Sequence, residues 1–459
     1  MRKTSIVLAS LATTAFAAAA GAYGTTQLSQ ILPVAAGVAA HHVCSMTFVG
    51  GQDPDQTFDQ LVMPVLGDFG RMLKVHVSRD TRTVEVSGPL SELARARFTP
   101  GYGCRLVLPG DQPLPTVADA PIAPRADGFA PKGRVASSKP AVTAAIDNVF
   151  AEHAGQPVKR VKAVVIVKDG QVVAERYADG IDEHSPLLSF SVAKSFTNAL
   201  FGILVRESKL RVDEPLNPPE WKDKNDPRRV ITLEDLMRMR SGLAVEEAES
   251  AESPVAKMEF LHGDMAAFAA AQPAKEPPGR TFEYTSADTV LLARKLGSVV
   301  GGGAPGMREF ARRELFAPLG MGDVTMEFDG AGTFIGSTYV YASARDYARL
   351  GWLYLRDGIA PDGKRVLPEG WMDWSRRSTL NSPYGAGFWT NDGRSEEAKW
   401  RIDSGYPKEG FYASGTMGQR IYVIPSAHLV ITRFGYSAPP YYGMRDDLAL
   451  IKAAIEAYR

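Results

Sequence analysis

The chain has 459 residues, with 52 Lys plus Arg against 52 Asp plus Glu, so its formal net charge is zero. That balance argues against a general nucleic-acid binder, which carries a basic surplus. Apolar residues make up 45% and charged residues 23%, ordinary for a globular protein long enough for two to three domains.

Met1-Arg2-Lys3 is a short basic start, and residues 5–22 carry no charge. With small residues near Ala18–Ala22, residues 1–24 read as a cleaved signal peptide. The alternative is an uncleaved anchor in the inner membrane, since the stretch is nearly long enough to span. Either reading places the rest outside the cytoplasm, in the periplasm. No other stretch reads as a span. The two cysteines, Cys44 and Cys104, then suggest one disulfide. His41 and His42 precede Cys44, but no second ligand cluster has zinc spacing, so no metal is expected.

Residues 25–40 read as a connector, polar and then apolar. Residues 73–78 and 83–87 alternate apolar and polar positions around Arg79-Asp80-Thr81-Arg82, the pattern of a hairpin. Residues 25–135 are taken as a small α/β accessory module ending in a Pro-, Ala- and Gly-rich linker or wrapped arm. A helix is expected over 142–156. A hairpin with an Asp169-Gly170 turn follows over 163–177. Helical patterns dominate 192–360. Strand patterns return at 384–389, 419–424 and 428–434, before a last helix over 446–458. Strands at both ends with helices between predict one antiparallel sheet made from both ends of the domain, plus a helical insertion.

The chemistry-bearing pattern is Ser191-Val192-Ala193-Lys194. On a helix, positions i and i+3 share a face, so the Lys194 amine falls beside the Ser191 hydroxyl. A serine needs an adjacent base to act as a nucleophile. Lysine is one only if its pKa falls from about 10.4 toward 7, which burial can achieve. Taken alone, Ser-x-x-Lys is weak and is matched by an N-cap serine with a solvated lysine. Two further segments give it context. Tyr284 and Ser286 follow Pro277-Pro278-Gly279, which positions the phenol to shuttle a proton. Ala413-Ser414-Gly415-Thr416 opens a strand whose small residues let a carbonyl approach the backbone. An N–H there, paired with that of Ser191, would form an oxyanion hole.

In this order, the three elements resemble the serine β-lactamase and penicillin-binding-protein superfamily, and within it the class C-like esterases and 6-aminohexanoate-dimer hydrolases. Residues 230–243, 315–321 and 342–351 are similar to further segments of that family. The resemblance covers roughly residues 140–459 and says nothing of residues 25–135. It implies an α+β fold, an antiparallel sheet flanked by helices with an all-helical subdomain, over residues 136–459. It further implies Ser191 as the acylated nucleophile, Lys194 as its base, Tyr284 as proton shuttle and Ser286 where many relatives have Asn. Ser414 and Gly415 would line the substrate, with the Thr416 N–H as second oxyanion donor. No cofactor is implied. Ala413 stands where β-lactamases have a lysine that grips the substrate carboxylate. The departures at 413 and 286 favour a small ester or amide as substrate over a β-lactam or a peptidoglycan peptide. A non-catalytic binding protein on the same fold is the remaining alternative. His184 reads as a surface histidine. Glu246 and Glu247, after Ser241-Gly242-Leu243, are candidates for the pocket lining, but with Glu249 and Glu252 they read first as a solvated acidic run. Trp389 and Tyr384 are candidates for the cleft wall or the core.

Overall fold

The computed structural model describes residues 31–459, apart from 89–90, 112, 118–121, 123–124, 126, 249 and 439–443. The segment read as a signal or anchor lies outside the described residues.

The main sheet has six antiparallel strands in the order β10-β11-β12-β13-β5-β6. The strands are β5 (Val161–Lys168), β6 (Gln171–Tyr177), β10 (Trp389–Thr390), β11 (Phe411–Gly415), β12 (Gln419–Ile424) and β13 (Leu429–Gly435). β5 joins the two ends of the domain, pairing β13 through Ile431↔Ile166 and β6 through Ile166↔Ala174. Its run Val161-Lys162-Ala163-Val164-Val165-Ile166-Val167 is buried throughout, because helices cover both faces. On one face, the helices Pro140–Phe150 and Met444–Ala457 pack Val142, Ile146, Leu448 and Ile451 against Val164 and Ile166. On the other, the helices Ala193–Arg206 and Ala344–Leu355 share the large core with Val165 and Val167. The fold is β-lactamase-like, as the resemblance implies. Of the segment 384–389 only Trp389 joins the sheet, in the two-residue β10, because the segment turns back on itself: Tyr384 is bridged to Trp389 and the Gly385 N–H donates to the Phe388 carbonyl. Of the Pro-rich stretch, Gly128 and Val135 run along β6, their carbonyls accepting from the N–H groups of Val172 and Glu175, and the Val135 N–H donates to the Glu175 carboxylate. It is an arm completing the sheet edge rather than a free linker.

The N-terminal part is a four-stranded antiparallel meander, β1 (Lys74–Ser78), β2 (Thr83–Ser87), β3 (Glu92–Thr99) and β4 (Gly103–Leu106). A helix, Ile31–Phe48, covers it. Over residues 31–40 this helix corrects the expectation of a connector, whose first residues, 25–30, lie outside the described residues. Pro33 falls in its first turn, where the missing N–H costs nothing, and the helix runs on through the two histidines. By length and composition it also meets the criterion for a membrane span, with mean hydropathy 1.4, against the expectation that no second stretch would. Here its apolar side packs Val34, Val38 and Val43 against Val84, Val86 and Ala96. Cys44 on this helix and Cys104 on β4 form a disulfide, compatible with an oxidising, exported setting.

The module is fastened to the rest by a buried carboxylate. Glu327 accepts from Ser45 Oγ at 2.8 Å and from the Cys104 N–H at 2.7 Å, and His41 Nε2 lies 2.9 Å away. A second seam runs where Gly37 faces Phe260 of the helix Pro254–Leu261. A Cβ at Gly37 would lie 2.9 Å from the Phe260 Cβ, so only glycine permits this helix approach.

Candidate active site

Ser191 lies in a single 3-10 turn, Phe190–Val192, that leads into the helix Ala193–Arg206. The turn is held from the side: Ser189 Oγ donates to the Thr338 carbonyl at 2.8 Å and accepts from the Val340 N–H at 3.1 Å. Phe190 sits at φ 43°, in the left-handed region that bulky residues rarely adopt. Such strain persists only where the surroundings over-determine it, and it falls on the residue before the serine.

Lys194 is buried, 3% exposed, and all three of its donors are used. Nζ lies 2.9 Å from Ser191 Oγ, 3.0 Å from Ser286 Oγ and 3.1 Å from the Ser337 carbonyl. Burial pushes its pKa down from the ordinary value, and the charges of Glu247 and Glu259 work against that fall. The Tyr284 ring centroid is 4.8 Å from Nζ. Tyr284 is stacked on Trp389 with centroids 5.5 Å apart and meets Tyr384 edge-on at 5.4 Å. Burial pushes the phenol pKa well up, the Glu247 charge adds to this, and a hydrogen bond with Ser191 opposes it. Tyr284 is thus a phenol, a proton donor, at neutral pH. Ser286 opens the helix Ser286–Val300, and its N–H bonds to the Glu247 carboxylate.

β11 closes the other side. A Cβ at Gly415 would collide with the Ser189 carbonyl and lie 3.0 Å from the Phe190 Cβ, so the strand packs directly on the turn that carries Ser191. Ser414, Gly415 and Thr416 line one cleft of about 580 Å³ with Ser191, Tyr284 and Ser286. Ala413 points the other way, into the core. A guanidinium does reach the lining from Arg420, paired across the sheet with Ser414, but its Nη1 is engaged by the carbonyls of Gly415 and Gln419.

The structure therefore brings Ser191, Lys194, Tyr284, Ser286, Ser414, Gly415 and Thr416 together. It corrects the reading of the acidic run: Glu247 faces the cleft, hydrogen-bonded at the helix start, while Glu249 lies outside the described residues. Trp389 lines the cleft and Tyr384 backs it from the core. His184 is exposed, 3.1 Å from Asp323 and remote from this lining. Sequence reasoning missed Glu259, whose carboxyl faces the cleft from the helix Pro254–Leu261 with a pKa pushed up to about 8 by burial and by Glu247. It also missed Val34, Val38 and His42 of the N-terminal helix, which line the cleft as well.

The Beta-lactamase family model matches residues 146–454. The chain belongs to this family. The 6-aminohexanoate-dimer hydrolase of Paenarthrobacter ureafaciens is 24% identical over 323 residues, 64% of this chain and 79% of that protein. A penicillin-binding protein homologue from Caulobacter crescentus shares the fold with a TM-score of 0.53 at 18% identity, over 71% of this chain and 100% of its own. A family VIII carboxylesterase has a TM-score of 0.53 at 14% identity, over 71% of this chain and 99% of its own. This member of the Beta-lactamase family thus has hydrolases among its relatives. It carries its N-terminal helix and four-stranded sheet outside the matched region.

Proposed function

We propose that the protein is an exported serine hydrolase that cleaves a small ester or amide through an acyl-enzyme on Ser191. The observation that carries this reading is the 2.9 Å contact between the buried Lys194 amine and the Ser191 hydroxyl in a strained turn. In the reading, neutral Lys194 takes the Ser191 proton as Oγ bonds to the substrate carbonyl carbon. The negative charge on the carbonyl oxygen is held by the N–H groups of Ser191 and Thr416, a donor type worth about 3–4 kcal/mol each. Tyr284, kept protonated by its raised pKa, donates to the leaving group as the carbonyl–heteroatom bond breaks, and regains its proton from the Lys194 ammonium. Ser286 orients the lysine. Water then attacks the ester, with the same groups reversing their roles.

A β-lactamase or DD-peptidase reading ranks below this one. Ala413 supplies no cation, the Arg420 guanidinium is engaged by backbone carbonyls, and the Glu247 carboxylate faces the cleft where those substrates carry a carboxylate of their own. Attachment of the N-terminus to a membrane is part of the proposal only as the alternative to signal cleavage.

The test is pre-steady-state hydrolysis of a p-nitrophenyl ester with intact-mass detection of the acylated protein. The reading predicts a mass increment equal to the acyl group, and a burst where deacylation is the slower step, both absent in Ser191→Ala. Turnover retained by Ser191→Ala would exclude it.

A further inference from the structure

The family match begins at residue 146, yet the cleft is not built from that region alone. The helix Ile31–Phe48 contributes Val34 and Val38, and the segment after it contributes Leu61, Pro64 and Val65. These five residues are all apolar. They are carried on a module pinned by the Cys44–Cys104 disulfide and by the Glu327 hydrogen bonds, so the wall is fixed in place. Val65 is 53% exposed although apolar, at the rim, whereas Val38 is 8% exposed and Leu61 2%.

The wall packs against Phe190, the residue before the candidate nucleophile. The His42 ring centroid lies 5.8 Å from that of Phe190 and 6.3 Å from that of Phe260. Burial holds His42 neutral, with its pKa lowered to about 3, so the module brings no charge to this side. Tyr284, the leaving-group side, contacts Trp389 and Tyr384 instead. Acyl and leaving groups depart from a tetrahedral carbon in different directions, and the cleft offers them chemically different surroundings. A cleft of about 580 Å³ is larger than an acetyl group needs and lies in the range that encloses drug-sized ligands.

We propose that residues 31–66 form an apolar acyl subsite, and that the protein prefers esters or amides of medium-chain apolar acids to those of acetic acid. This rests on Ser191 being the nucleophile. Each methylene that enters such a wall strengthens transition-state binding about fourfold.

The experiment measures kcat/KM for p-nitrophenyl acetate, butyrate, hexanoate and octanoate with the full-length protein, Val38→Phe and Val65→Asp. Val38→Phe fills the wall from within. Val65→Asp places charge at an exposed rim position where folding is not at stake. The proposal predicts a rise of at least about tenfold from acetate to octanoate in the wild type, and a fall of that ratio by about tenfold in both variants. Acetate hydrolysis with a flat chain-length profile, or a ratio unmoved by Val65→Asp, overturns the subsite while leaving the reading of Ser191 intact. Failure to hydrolyse any of the four esters overturns both.

Discussion

The Glu247 carboxylate accepts the backbone N–H of Ser286, the residue whose hydroxyl is 3.0 Å from the Lys194 amine. One acidic side chain thus anchors the start of the helix Ser286–Val300 and sets the field at the lysine. Burial lowers the Lys194 pKa, and Glu247 and Glu259 raise it, so the two carboxylates limit how much neutral amine exists at a given pH. Activity that depends on the neutral amine rises with pH through the lysine pKa and then levels. Glu247→Gln keeps a hydrogen-bond acceptor but removes the charge. The lysine pKa should then fall further, and the acid limb of kcat/KM should move to lower pH. Glu259→Gln should move it in the same direction but less, because that carboxyl holds its proton up to about pH 8. A pH–rate profile of each variant checks this, and a shift to higher pH contradicts it.

Tyr284→Phe separates proton donation from nucleophilic attack. A p-nitrophenolate leaves without a proton, whereas an amine does not. The variant should lose roughly 10²-fold or more on an anilide or alkyl amide, and far less on the matching p-nitrophenyl ester. Equal losses on both substrates would assign the ring a packing role against Trp389 and Tyr384 instead.

Much of this site was legible from spacing. Ser191 and Lys194 are three residues apart on what becomes a helix, and that interval alone dictates adjacency. Tyr284 and Gly415 were found through their local settings, a Pro-Pro-Gly turn and a run of small residues. That one antiparallel sheet draws on both ends of the domain followed from the strand patterns there, though its strand order did not. What was illegible depends on long-range packing. Glu247 sits in an acidic run that looks solvated, and only the fold shows that its carboxylate reaches the Ser286 N–H. Glu259 follows Met258 on a short helix, with no pattern to mark it. The Ile31–Phe48 helix was obscured because Pro33 and the His41-His42 pair interrupt its apolar run. Its role as a cleft wall exists only once the module docks at Phe260 and Glu327.

Glu259 also predicts a pH-dependent stability. Its ordinary pKa of 4.5 is pushed up to about 8 in the folded protein. Between these values the unfolded chain ionises while the folded one holds its proton, so this group lowers stability as pH rises from about 4.5 to about 8. Glu259→Gln removes the buried charge. It should melt higher than the wild type at pH 9, with the difference gone at pH 4. Thermal unfolding at the two pH values checks this. A variant that melts lower at pH 9 contradicts the assignment.

The disulfide closes a separation of 60 residues and ties the module helix to β4. In the chain-entropy model such a loop is worth roughly 4 kcal/mol. Cys104→Ser should unfold its module at lower denaturant than the oxidised wild type, and adding reductant should bring the wild type to the variant's midpoint. Unchanged midpoints with reductant would show that the cross-link carries no stability. Because the module walls the cleft, both treatments should also reduce the preference for long acyl chains.

The central claim is that Ser191 is an activated nucleophile. Its most direct test is a fluorophosphonate probe on the folded protein, with the labelled peptide mapped by mass spectrometry. The account predicts phosphonylation of Ser191 alone, lost in Ser191→Ala and strongly slowed in Lys194→Ala. Labelling at another serine, or none in protein that is folded and open to a small probe such as p-nitrophenyl acetate, would contradict it.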